Sequence, residues 1–180
     1  SAREFGSVYT FLFVGSLSSG KRPLYAVQLV EALMKRGFAC RLDIYGEGAE
    51  RKALENYILE HELSEFVKLR GNQSSDIIEK AYKEGQFLIL PSKSEGWPKV
   101  VAEAMFWGVI PIATKISCVP WMLDHGQRGL LLDMNLKEDT NMIVSSIKEI
   151  DSLAVMSVKG IEWSHSFTLD DFENEIKKIL

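Results

Sequence analysis

Two glutamates eight positions apart, Glu95 and Glu103, are the residues of this sequence that most clearly suggest chemistry. Pro98 lies between them and favours the first position of a helix, because its missing N–H would have no partner there. Gly108 follows where a glycine commonly ends a helix. The amides of residues 99–101 would then point out of the helix start, which attracts phosphate. Amide donors between two carboxylates predict a site for a phosphorylated ligand that carries hydroxyl groups.

A sugar nucleotide meets all of these requirements in one molecule. Carboxylates accept hydrogen bonds from adjacent hydroxyls, so ribose can bind one glutamate and a hexose the other, with the diphosphate at the helix start between them. Neither glutamate is marked as the general acid of a glycoside hydrolase. Each also has a plain alternative, since Glu95 can complement a helix dipole and Glu103 can be an exposed helix residue.

A second group of candidates lies in the loop of residues 15–22. Gly15 and Gly20, followed by Lys21, have the spacing of a nucleotide phosphate loop, but Arg22 stands where a magnesium-binding Ser or Thr is required. What remains is a glycine turn with two cations at a helix start. Lys21 and Arg22 can contact phosphate oxygens, or they can be the solvated start of a helix.

These candidates follow predicted strands, and the strands alternate with predicted helices. Strands are predicted at Tyr9–Val14, Cys40–Tyr45, Phe66–Leu69, Phe87–Leu90, Val109–Ala113 and Gly129–Leu132. Helices are predicted at Pro23–Arg36, Ala49–His61, a helix capped by Ser75 or Asp76 that ends at Glu84, Pro98–Gly108, a short turn at Pro120–Leu123, Thr140–Ile150, Leu153–Trp163 and Leu169–Ile179. The alternation predicts an α/β fold: a doubly wound parallel sheet of about six strands with helices on both faces.

In such a sheet, ligands bind at the carboxyl ends of the strands, where the strand order reverses. The loops at residues 15–22, 46–48, 70–72 and 91–98 all follow strands, so we expect them to line one cleft. Gly46 within this set allows a close backbone approach, or serves as a plain turn.

Composition limits the classes of function. A chain of 180 residues with 46% hydrophobic residues suits one soluble domain, and a net charge of −4 argues against a nucleic-acid partner. No apolar run approaches the roughly 20 residues that span a bilayer. Cys40 and Cys118 are expected to be free thiols in a reducing compartment. The three histidines lack metal-ligand spacing, so we predict neither a metal nor a cofactor.

The segment from Glu95 to Glu103, Glu-Gly-Trp-Pro-Lys-Val-Val-Ala-Glu, resembles the signature of glycosyltransferase family 4, the retaining group 1 family with the GT-B fold. Leu90-Pro-Ser before it and Gly108-Val-Ile-Pro after it fit the same signature. Further matching segments cover nearly the whole chain from Tyr9; they lie at residues 13–17, 21–23, 44–51, 67–71 and 126–132.

The resemblance implies a Rossmann-like, donor-binding C-terminal half of a two-domain enzyme. Residues 1–8 would be a tail or cloning remnant, and residues 9–180 the nucleotide-sugar-binding domain. The enzyme would transfer a hexose from a UDP- or GDP-linked donor to a glycan or lipid-linked acceptor. The acceptor site would belong to an N-terminal domain outside this sequence. The expected location is the cytoplasm, or the inner face of the membrane if the missing half attaches there.

The resemblance also implies roles for individual residues. Lys21 and Glu95 would act in catalysis: Glu95 faces the donor hexose and Lys21 neutralises the leaving diphosphate. Glu103 would hold the ribose hydroxyls, and the loop at residues 70–72 would lie by the base. The implied donor-binding set is Gly15, Ser16, Lys21, Arg22, Gly46, Gly71, Asn72, Glu95, Gly96, Trp97, Lys99, Val100 and Glu103.

Three departures from the family pattern concern the same site. Ser16 stands where the family has a phosphate-binding arginine, and Arg22 or Lys99 are candidates to replace it. Trp97 and Pro98 replace the aromatic residue and second glycine of the usual E-G-F-G segment, and Trp121 replaces the glutamate of a later Pro-Glu pair. The sequence therefore leaves open a degenerate binding or assembly module without turnover, or an unrelated nucleotide-binding α/β domain.

Overall fold

The computed structural model describes residues 3–166 and contains one six-stranded, fully parallel sheet. The strands are β1 (Tyr9–Val14), β2 (Cys40–Tyr45), β3 (Val67–Gly71), β4 (Phe87–Leu90), β5 (Ile110–Thr114) and β6 (Leu130–Leu132). The helices are α1 (Pro23–Lys35), α2 (Arg51–Glu60), α3 (Ser75–Glu84), α4 (Lys99–Phe106), α5 (Val119–Met122), a 3-10 turn (Asp124–Gly126), α6 (Leu136–Lys148) and α7 (Ile150–Ser166). The predicted helix Leu169–Ile179 lies outside the described residues.

The strand order is β3-β2-β1-β4-β5-β6, which confirms the predicted doubly wound sheet. Strands β4 and β5 are buried at every position because helices cover both of their faces. One core cluster joins the sheet to α1, α2 and α6, and a second joins the opposite face to α3, α4 and α5. This two-sided burial explains why the strands read as continuous apolar segments.

Several helix starts differ from the sequence predictions: α6 begins at Leu136 instead of Thr140, α7 at Ile150 instead of Leu153, and α2 and α5 are displaced by one or two residues. Helix α3 is preceded by Ser74, whose extended backbone makes it the N-cap, so the prediction of Ser75 or Asp76 as the capping residue was wrong. Helix α4 begins at Lys99, and Pro98 precedes it instead of occupying its first turn. At the starts of α3 and α4, adjacent residues are similarly suited to the position just before a helix or at its first turn. The path of the chain that leads into the helix decides which of them takes each position.

A cluster of polar side chains joins α1 to α2 on the outer face of the protein. Glu31, only 7% exposed, accepts hydrogen bonds from Lys35 (2.5 Å) and from the Tyr57 hydroxyl (2.6 Å). Nδ1 of His61 lies 2.9 Å from the same carboxylate, and the His61 ring stacks on Tyr57. Burial raises the pKa of Glu31, but these three partners outweigh it and lower the pKa to about 2.

The low pKa of Glu31 predicts a pH-dependent contribution to stability. Because the folded pKa lies below the unfolded value of 4.5, the stabilisation is fully present above pH 4.5 and is lost as pH falls towards 2. We expect Glu31→Gln to reduce the free energy of unfolding at pH 7 by about 1–3 kcal/mol.

Urea denaturation of wild type and of Glu31→Gln at pH 7, 4 and 3 measures the difference between their free energies of unfolding. It should shrink to less than half of its pH 7 value by pH 3, while the exposed Glu79→Gln control stays within about 0.5 kcal/mol of wild type throughout. A difference that is independent of pH would contradict the assignment.

Candidate functional site

The crevice that such sheets use for ligands lies between the ends of β1 and β4. These strands are neighbours, and the chain winds outward from them in opposite directions. The loops that follow them are joined by a hydrogen bond from the Lys93 N–H to the Gly20 carbonyl (2.8 Å). The two loops predicted to carry the candidate residues therefore meet at the point of strand reversal.

The central contact of the crevice is an ion pair between Lys21 and Glu95. The ammonium group of Lys21 donates to Oε1 of Glu95, whose side chain is 8% exposed. A carboxylate that is almost completely buried needs a cation or several donors to offset its loss of hydration. The sequence suggested these residues separately, and the structure places them in direct contact. Together they present a cation and a hydrogen-bond acceptor at one point.

The start of α4 lies directly after the loop that carries Glu95. Pro98 has a non-helical backbone (φ −77°, ψ 87°), and its carbonyl accepts the Val101 N–H at 3.0 Å. The expectation that Val101 points out of the helix without a partner was therefore wrong. Lys99 and Val100 precede Val101, whose N–H is the first to be bonded at the helix start, so their own amides and the positive end of the helix dipole remain the anion-attracting features.

Glu103 lies on α4, is exposed, and accepts a hydrogen bond from the Tyr82 hydroxyl of α3 at 3.3 Å. Tyr82 is 2% exposed, and its burial together with the Glu103 charge raises its pKa well above the usual value. Sequence reasoning missed Tyr82, which its spacing along α3 marks only as a core residue. Its hydroxyl provides a hydrogen-bond donor to one carboxylate oxygen of Glu103.

Three glycines predicted in the site bring neighbouring loops together through their backbones. The Gly15 N–H donates to the Tyr45 carbonyl (3.0 Å), and the Gly46 N–H donates to the Gly71 carbonyl (2.9 Å). A Cβ at Gly46 would lie 1.8 Å from the Gly15 carbonyl oxygen, and the backbone there has φ +141°. No other residue type fits this contact. Asn72, which directly follows the last of these glycines, is exposed.

Arg22 and Ser16 occupy less central positions. Ser16 is exposed, and its hydroxyl lies 3.1 Å from that of Ser18. Arg22 precedes α1 with a left-handed backbone (φ 51°). Its charge lies near Tyr25, whose pKa is raised by burial and by a hydrogen bond to Asp139 and is partly lowered again by Arg22.

Gly96 and Trp97 are held from the side of α5. The Gly96 carbonyl accepts hydrogen bonds from Oγ of Ser117 and Sγ of Cys118, each at 3.3 Å. The Trp97 ring lies 6.2 Å from the ring of Trp121, which follows on α5. Sequence reasoning treated Cys118 only as a free thiol and did not identify Ser117, since nothing local links either residue to Gly96.

Among residues 3–166, no three His, Cys, Asp or Glu side chains come together in a way that could ligate a metal. Over the same residues, none of the helices combines the length and apolar character needed to traverse a bilayer.

Residues 2–157 match the family model described as glycosyl transferases group 1, so the chain belongs to this family. It is 27% identical over 152 residues to an uncharacterised glycosyltransferase, MJ1178, of Methanocaldococcus jannaschii, covering 84% of this chain and 42% of that protein. It is 24% identical to the putative colanic acid biosynthesis glycosyltransferase WcaL of Salmonella typhimurium, covering 88% and 40%. The chain spans less than half the length of these relatives.

Solved structures share the fold. Anabaena HepE in complex with UDP and glucose superimposes with a TM-score of 0.82 at 20% identity, covering 96% of this chain and 48% of that one. The pneumococcal O-GlcNAc transferase GtfA in complex with UDP and GlcNAc gives a TM-score of 0.78 at 20% identity, covering 95% and 35%. The expected Rossmann-like half of a GT-B fold is thus confirmed.

The contact between Gly46 and Gly15 predicts a large effect of a single methyl group. We expect Gly46→Ala to lower the free energy of unfolding by more than about 2 kcal/mol, because it combines an unfavourable φ with a backbone clash. Gly37→Ala is the matched control: Gly37 also has a positive φ (+90°) but nothing within 4 Å of a new Cβ, so it should cost about 1 kcal/mol. Urea denaturation compares the two, and equal losses would contradict the close approach.

Proposed function

We propose that this chain is the donor-binding half of a retaining glycosyltransferase that moves a hexose from a nucleoside-diphosphate sugar to a glycan or lipid-linked acceptor. The observation that carries the proposal is the pairing of Lys21 with the buried Glu95 at the strand reversal, in front of the α4 start. Membership of glycosyl transferases group 1 supports glycosyl transfer as the reaction class. Binding of UDP and sugar by the solved structures of similar fold supports the donor class.

The diphosphate of the donor would lie at the start of α4. The amides of Trp97, Lys99 and Val100 would contact the distal phosphate, and Lys21 would neutralise the charge that develops as the sugar leaves. Charge stabilisation by groups already in place is an effective way to lower such a barrier. In this arrangement Lys21 shares its hydrogen bonds between the diphosphate and Glu95, and Glu95 accepts from the hexose hydroxyls.

The nucleoside would occupy the side of the crevice between α4 and the ends of β2 and β3. Glu103, oriented by Tyr82, would accept hydrogen bonds from the ribose hydroxyls through the oxygen that does not face Tyr82. The backbone at Gly71 and Asn72 would lie beside the base. The bases of UDP- and GDP-linked donors would both be compatible with this position. The close contact between Gly15 and Gly46 would form the bottom of the crevice between the diphosphate and nucleoside positions.

The acceptor would bind to a second, N-terminal domain that faces this crevice. The proposal rests on the relatives' greater length and on their named products and acceptors, which include colanic acid and a cellobiosyl-diphosphopolyprenol. Any membrane contact would then come from that other half, on the cytoplasmic side. Without it, the isolated chain should show little transfer, because half of the reacting geometry is absent.

A binding or assembly module without turnover is the second candidate. One observation favours it: Ser16, at the position of the family's phosphate-binding arginine, is exposed and carries no charge. Sugar transfer by a protein that contains both halves would exclude it.

Nucleotide binding is the first expectation of the proposal. Calorimetric titration of the chain with UDP, GDP and ADP should give a dissociation constant below about 1 mM for at least one of them, since diphosphates gain from both Lys21 and the helix start. Absence of binding by all three at millimolar concentration would refute the proposal.

The two glutamates should differ in which part of the donor they hold. Glu103→Gln should weaken the nucleotide and its sugar-linked form equally, by about tenfold, because it removes a charge-assisted hydrogen bond to ribose. Glu95→Gln should leave nucleotide affinity unchanged or raise it, since Lys21 loses its competing partner, and should remove most of the added affinity of the sugar.

The measurement is calorimetry with UDP and UDP-glucose, or with GDP and GDP-mannose if GDP is the nucleotide that binds. Glu79→Gln on the exposed face of α3 serves as the control and should match wild type. Equal losses of both ligands in both site variants would contradict the assigned roles.

A further inference from the structure

The Gly96 carbonyl is bound by two side chains from a different part of the chain. Oγ of Ser117 and Sγ of Cys118 each lie 3.3 Å from its oxygen. A carbonyl oxygen only accepts hydrogen bonds and has two lone pairs, so the hydroxyl and the thiol are the donors and both acceptor sites are used. Gly96 follows directly after Glu95, the carboxylate at the centre of the crevice.

These two donors lie on a turn that is itself firmly held. The Ile116 N–H donates to the Thr114 carbonyl at 2.8 Å, and the Val119 N–H donates to the Ile116 carbonyl at 3.0 Å. Ser117 has a left-handed backbone (φ 49°), which is uncommon for a residue other than glycine and is maintained only when surrounding contacts require it. Cys118 is the N-cap of α5, which is anchored by buried side chains. The backbone that carries both donors is therefore anchored.

Planarity of the peptide bond extends this constraint to the next amide. The Gly96 carbonyl and the Trp97 N–H belong to one trans peptide and point in opposite directions. With the oxygen held at the turn before α5, the N–H is directed to the opposite side of the loop. The Trp97 ring also lies against Trp121 of α5, which supports the same arrangement.

We propose that Ser117 and Cys118 are positioning residues that fix the Gly96–Trp97 peptide in the orientation that turns its N–H towards the distal phosphate of the donor. This inference rests on the proposed function, which places the diphosphate at this loop. Glycine at position 96 tolerates either orientation of the peptide, so the backbone alone does not select one. A reversed peptide would point a carbonyl oxygen at the phosphate and replace attraction with repulsion.

The consequence is specific to the second phosphate. A nucleoside monophosphate would keep its contacts with Glu103 and the β2–β3 side of the crevice, and it would not depend on this peptide. A nucleoside diphosphate would depend on it. The ratio of the two affinities therefore reports on the orientation of the peptide and not on general folding.

The test compares a variant that lacks both donors, Ser117→Ala/Cys118→Ala, with Cys118→Ser, which keeps a donor at each position. Ser152→Ala on the exposed side of α7 is the remote control. Calorimetry with UMP and UDP, or with the mono- and diphosphate of whichever base binds, should show UDP affinity about fivefold to tenfold lower in the double variant. UMP affinity should be unchanged, and Cys118→Ser and Ser152→Ala should resemble wild type.

Hydrogen exchange of residues 93–99, followed by mass spectrometry without ligand, provides an independent reading of the loop. Exchange should be faster in the double variant than in wild type and unchanged in Ser152→Ala. An unchanged UDP-to-UMP ratio, an equal loss of both ligands, or identical exchange in this segment would overturn the inference. Failure of wild type to bind any nucleotide would instead refute the proposed function, while the exchange experiment would still decide whether the two side chains hold the loop.

Discussion

The site depends on one electrostatic requirement: the Glu95 carboxylate is almost completely buried and therefore needs a cation beside it. Lys21 meets this requirement only because β1 and β4 are neighbours, which brings the loops that follow them into contact. The hydrogen bond between Lys93 and Gly20 secures the same two loops through their backbones. An ion pair at this crevice combines a cation suited to phosphate with an acceptor suited to hydroxyl groups, which is the combination a sugar nucleotide needs.

Close backbone packing is the second constraint on the crevice. Gly46 approaches Gly15 so closely that a side chain cannot be accommodated, and it also donates to the Gly71 carbonyl. The loops after β1, β2 and β3 thus form one continuous surface instead of three separate turns.

Residues outside the crevice orient those within it. Tyr82 from α3 holds Glu103, and Ser117 and Cys118 hold the Gly96 carbonyl. Asp139 from α6 accepts from Tyr25 on α1, beside Arg22. In each case a polar group on one element restricts a group on another, so that the site is formed with its hydrogen-bonding groups already directed.

The sequence by itself determined the elements and their order, because apolar segments, Pro23 and the glycines that follow strands are local signals. From that order followed the parallel sheet and the loops expected to line one cleft, whereas the position of the strand reversal between β1 and β4 came from the structure. The sequence wrongly placed Pro98 at the first position of α4, because the residue before a helix can also be proline and no local signal separates the two positions. Only the tertiary structure decided that Lys21 pairs with Glu95, that Tyr82 holds Glu103 and that Ser117 reaches Gly96. These contacts join residues far apart in the chain, and their geometry is set by how helices pack on the sheet, which no local pattern encodes.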